Sequence, residues 1–109
     1  VKDEATRRIA RNELLFRETN EAIERGQWPG EPDKIVRFRC ECSRLECGEA
    51  VEVSLAEYEA VRESPRHFLL LAGHDLPEIE TVVRRTASFV VVEKRDAAGE
   101  LAAANDPRN

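Results

Sequence analysis

Cys40, Cys42 and Cys47 fall within eight residues of one another, and two histidines, His67 and His74, lie further along the chain. Thiolates and imidazoles are the donors zinc favours, four of them in a tetrahedron with bonds of about 2.0–2.3 Å. The spacing is Cys40-x-Cys42-x4-Cys47. In an extended backbone Glu41 points away from the cysteines on either side, so gathering the sulfurs requires a turn at Cys42, which Ser43 and Gly48 allow. A loop between two hairpin strands then sets three sulfurs around one point. His74 follows Gly73 in a predicted turn, where glycine's backbone freedom lets an imidazole swing toward the site. His67 opens an apolar strand and is the alternative fourth ligand. Asp75 or Glu46 is placed to orient the ligand histidine.

A zinc with three thiolates and an imidazole is coordinatively full, without the open position that a catalytic zinc keeps for water. The sequence carries no HExxH, Gly-x-Ser-x-Gly, P-loop or dinucleotide fingerprint, and no deaminase pattern. The reading is therefore of Zn2+ as the one cofactor, with no catalytic residues and no enzymatic activity. Two other readings of the cysteines compete: reduced, buried thiols and a Cys–His nucleophile. The charged neighbours Arg39, Glu41, Arg44 and Glu46 make the segment a poor place for plain buried thiols.

The elements that must carry these ligands follow from periodicity. Residues 1–26 read as an N-terminal amphipathic helix, with Asp3 as N-cap, Gly26 as stop, and Ile9, Phe16 and Ile23 recurring every seven residues beside Leu14 and Leu15. That stripe either lies on its own domain or meets a protein partner or a second copy. Residues 27–34 form a linker with Pro29 and Pro32, in which Trp28 is tucked onto the core or anchors a partner. Residues 35–95 are the zinc-binding α+β domain, a ββαβαβ unit with a four-stranded, mostly antiparallel sheet. Its strands are Ile35–Arg39, Glu49–Val53, His67–Leu71 and Ser88–Lys94, with His67–Leu71 a candidate for the centre. One helix follows the capping box of Ser54 and Glu57 and buries Leu55, Tyr58 and Val61. A second follows Asp75, Pro77 and Glu78 and buries Ile79, Val82 and Val83. Residues 96–109 read as a disordered tail.

The chain has 109 residues, 41% hydrophobic and 36% charged, with a net charge of −5 spread over its length. Without a dense positive field, nucleic-acid or anionic-membrane affinity is disfavoured. The longest apolar run, Phe68 to Ala72, is far short of the roughly 20 residues a membrane span needs. An odd cysteine count argues against a closed disulfide framework and for a reducing, cytoplasmic setting. A folded region of about 60 residues buries barely enough surface to offset chain entropy. A structural zinc, contributing on the order of 10 kcal/mol or more, decides whether such a core folds.

Several stretches together carry a resemblance: Phe38 to Cys42, Glu57 to Arg62, Gly73-His74, Val91 to Lys94 and, upstream, Asn12 to Arg17. The chain resembles a family of small bacterial proteins that share a Phe-x-Cys-Glu-Cys start, a Gly-His turn and a closing Val-Val-Glu-Lys strand, and that have no assigned function. The resemblance covers most of the chain. It implies that Cys40, Cys42, Cys47 and His74 belong to one unit, which favours His74 over His67. The functional expectation is a zinc-stapled protein-interaction or regulatory module. Alternatives are a thiol redox switch that releases zinc on oxidation and a nucleic-acid-binding regulator using Arg37, Arg39 and Arg44.

Overall fold

The computed structural model describes residues 2–27, 29–42, 44 and 47–108. The expectations for Trp28, Ser43 and Glu46 lie outside the described residues. Alternating apolar positions make the first hairpin: β1 (Ile35–Arg39) and β2 (Ala50–Ser54) pair antiparallel, Val36 opposite Val53 and Phe38 opposite Val51. These four valine and phenylalanine side chains face inward while Arg37 and Glu52 face solvent. Ser54 ends β2 and caps α2 (Leu55–Val61) through the anticipated box: Glu57 N–H donates to Ser54 Oγ at 3.0 Å, and Ser54 N–H donates to Glu57 Oε1 at 2.8 Å. Leu55, Tyr58 and Val61 are its buried face, and the Tyr58 ring stacks on Phe38 at 4.2 Å. The linker is a loop, as its composition predicts, but it is tied down: Leu55 N–H donates to Lys34 O and Ala56 N–H to Pro32 O.

The remaining strands form a second sheet in the order β3-β5-β4, with β3 (His67–Leu71), β4 (Glu80–Arg85) and β5 (Phe89–Lys94) all antiparallel. The fold is α+β, but its strands divide into sheets of two and three rather than one sheet of four. The centre falls to β5, not β3. The helix expected after Pro77 is instead a turn and a strand. Ile79 and Glu80 N–H both donate to Leu76 O, and Glu80 Oε1 accepts from Leu76 N–H, after which the chain extends. Three features overrule the helical pattern: the β-branched run Thr81-Val82-Val83, the pairing of Val82 with Val92, and a bulge at Val83 that lets one more residue onto β4. Val83 is accordingly exposed rather than part of a buried helix face.

The long helix α1 (Lys2–Gly26) lies on β1 and on a third helix, α3 (Asp96–Ala104). Asp3 is already helical, so it does not stand outside as a cap. The inward face of α1 is mostly polar: Glu13, Phe16, Arg17, Asn20 and Glu21 are buried, whereas Leu15 is 53% exposed. Of the expected heptad only Phe16 is fully inside; Ile9 and Ile23 are half-buried. The buried Lys94 ammonium meets both Glu13 and Glu80, joining α1 to β4 and β5.

The supposed tail is folded. Ala98 and Ala102 are small enough to let α3 approach the sheet, and a Cβ at Gly99 would sit 2.6 Å from Lys94 O. Arg17 Nη2 donates to Ala102 O at 2.8 Å, and Arg62 pairs with both Glu21 and Asp106, so the chain end is tied to α1 and α2. No helix among the described residues is long and apolar enough to cross a membrane.

Candidate metal centre

The hairpin tip and the turn after β3 converge. Cys40 and Cys42 follow directly on β1, Cys47 precedes β2, and Gly73 turns the chain at φ +88° so that His74 comes back toward them. A side chain at Gly73 would be strained by that backbone angle. One ligand atom from each of Cys40, Cys42, Cys47 and His74 lies within 4.8 Å of all the others, so the four are positioned to bind a metal. His74 Nδ1 is 3.6 Å from the sulfurs of both Cys40 and Cys47. His67 stands outside this group, its Nε2 3.3 Å from Glu93 Oε1 on β5. Asp75 is half-buried in the next turn, without a hydrogen bond to His74 among the described residues.

The backbone holds the sulfurs in place. Cys40 N–H donates to Glu49 O at 3.0 Å, which continues the β1–β2 ladder beyond its last pair, and Cys47 N–H donates to Arg44 O. Leu71 N–H donates to the Cys40 sulfur at 3.2 Å. Cys40, Cys42 and Cys47 are all buried free thiols. Charged neighbours therefore did not keep the three thiols at the surface, although Arg44 itself is exposed.

The three sulfurs differ in how readily they give up their protons. A hydrogen bond from the Cys40 thiol, helped by His74 and Cys47, brings Cys42 down to about 4. The same bond, with burial, drives Cys40 up, and burial pushes Cys47 up. Three adjacent thiolates repel one another, and a divalent cation removes that barrier, so binding displaces protons.

Glu41 explains why charge could go inside. Its neighbours Cys40 and Cys42 face the Cys3His cluster, so its side chain points the other way, into the protein, where it is fully buried. Oε1 accepts from Leu69 N–H at 2.8 Å; Oε2 accepts from Asn20 Nδ2 at 2.8 Å and from the Tyr58 hydroxyl at 3.2 Å. Burial raises its pKa, and these donors act against that shift. Glu41 N–H also donates to Leu69 O, so residue 41 covers the outer edge of β3 and closes the seam between the two sheets. Asn20 in turn braces β1, donating to Arg39 O and accepting from Arg39 N–H, both at 2.7 Å. Sequence reasoning grouped Cys40, Cys42, Cys47 and His74, which the structure brings together, but not this hub. Strict alternation through Cys40-Glu41-Cys42 was the available signal, since it forces the carboxylate to the opposite side.

Comparisons of the chain with protein-family models, with curated proteins and with solved structures find no match.

Proposed function

We propose that Cys40, Cys42, Cys47 and His74 bind one structural Zn2+, and that the chain is a small non-enzymatic protein-interaction or regulatory module of the cytoplasm. The observation that carries this reading is the shape of the donor set. Bonds of about 2.3 Å to sulfur and 2.0 Å to nitrogen give a tetrahedron with sulfur–nitrogen edges of about 3.5 Å. Two of the three edges from His74, those to Cys40 and Cys47, measure 3.6 Å. Three soft sulfurs with one imidazole select zinc over the oxygen-seeking cations, and free thiols suit a reducing compartment. Four protein ligands leave no position for water, which supports a structural rather than catalytic role. The site would join the hairpin to the second sheet beside the bonds between Glu41 and Leu69. The partner is another protein or a second copy of the chain, met through the outer face of α1.

A nucleic-acid role through the hairpin has less support. Arg39 is engaged within the chain, its guanidinium 3.8 Å from the centre of the Phe16 ring and its Nη2 donating to Cys47 O.

Elemental analysis of the purified protein tests the proposal: one zinc per chain is expected, and Cys42→Ser should lose it. Substoichiometric metal in both proteins contradicts the zinc reading. Peroxide titration with a zinc-sensitive dye separates the module from the redox switch: release with unfolding at low peroxide favours the switch, and inertness favours the module.

A further inference from the structure

We propose that the metal gates the docking of α1: when the Cys40–Glu41–Cys42 segment loses its metal, the helix leaves, while the β3-β5-β4 sheet stays folded. The inference rests on the zinc reading and adds a regulation to that site. Among the described residues two links join α1 to the ligand loop, and each ends on a proposed ligand or its immediate neighbour. In the first, Asn20 holds the Glu41 carboxylate and both backbone groups of Arg39. Glu41 sits between two ligands, so fixing Cys40 and Cys42 fixes the carboxylate that Asn20 grips. In the second, Phe16 lies under the Arg39 guanidinium, which donates to the carbonyl of the ligand Cys47 at 3.2 Å. Releasing the metal loosens both links together.

What remains of the α1 interface is chiefly polar. Glu13 meets Lys94, Arg17 donates to Pro65 O and Ala102 O, and Glu21 meets Arg62. Each such contact has only a modest net worth, because opening exchanges it for contacts with water. Among the described side chains of α1, Phe16 is the one apolar group that is fully inside. The sheet is built differently: Leu69, Leu70, Val90 and Val92 are fully buried, and β5 pairs on both edges. Unequal apolar burial of this kind makes one element open before the rest. The released helix would present Phe16 together with the half-buried Leu14 and Ile23, a surface the metal-bound protein keeps against itself.

Amide hydrogen exchange on the full chain tests this, with zinc bound and after chelation, and with zinc per chain measured on the same samples. Chelation is expected to speed exchange across residues 13–25 at least about tenfold while residues 67–71 and 89–94 keep most of their protection. Asn20→Ala and Glu41→Gln should retain one zinc per chain yet show the faster helix exchange with zinc still bound. One zinc per chain with helix protection unchanged by chelation and by Asn20→Ala overturns the gating and leaves the zinc reading standing. Uniform loss of protection over helix and sheet on chelation also overturns it, because the metal would then hold the whole fold. A chain that carries no zinc overturns both readings.

Discussion

Near the end of α1, Glu24 faces Glu59, with Arg108 bonded to both carboxylates. Burial, reinforced by a hydrogen bond shared with Glu59, brings Glu24 from 4.5 up to about 7 in the folded chain. Glu59 moves the other way, held down by Arg108 and by that same hydrogen bond in spite of its burial. For Glu24 the folded state binds more protons, so its stabilising contribution is complete below its unfolded value and is lost as pH rises through the folded one. Glu59 contributes in the opposite sense, and only at more acidic pH. Glu24→Gln should therefore lose less stability than the parent between about pH 5 and about pH 8, read as urea midpoints. An identical decline in both proteins would contradict the assignment. At this scale the Cys3His cluster was legible because its chemistry is written in residue type and spacing. Glu41 and Asn20 were not, because a buried polar group is tolerated only through partners distant in sequence, here Leu69 and Tyr58 for the carboxylate.

At the scale of elements, the last fourteen residues carry more than their composition suggests. An Ala-rich segment looks disordered when judged by its own apolar content, yet here small side chains permit close approach to the sheet, and charged neighbours then complete the contact. Arg62 is fully buried between Glu21 and Asp106, and Asp106 also accepts from Arg108 N–H at 2.9 Å. Asp106→Ala should cost about 2–3 kcal/mol in denaturant unfolding, somewhat below the loss of a buried ion's only partner because Glu21 remains. An unchanged urea midpoint would show that the chain end is not docked. The capping box, α2 and the hairpin strands were readable because their determinants are local: Ser54 and Glu57 satisfy each other within one turn, and alternation fixes which side of a strand is buried. β4 was misread as a helix because Ile79, Val82 and Val83 fit a helical stripe equally well. Only the partner decides, and Val92 and Lys94 on β5 supply it.

For the molecule as a whole, two small sheets meet at a seam where the hairpin tip, residue 41 and the turn before His74 come together. One hydrophobic core runs through both sheets, from Val36 and Phe38 on the hairpin to Leu69, Leu70 and Val92 on the second sheet, and α1 adds a mostly polar face to it. The Cys3His cluster at that seam brings together segments 34 residues apart in sequence through Cys40 and His74, and the proposed zinc would cross-link them there. X-ray absorption at the zinc K-edge of the purified protein tests that claim most directly. The account predicts a four-coordinate shell of three sulfurs at about 2.3 Å and one nitrogen at about 2.0 Å. A shell of oxygen and nitrogen alone, or one with fewer than three sulfurs, would contradict it.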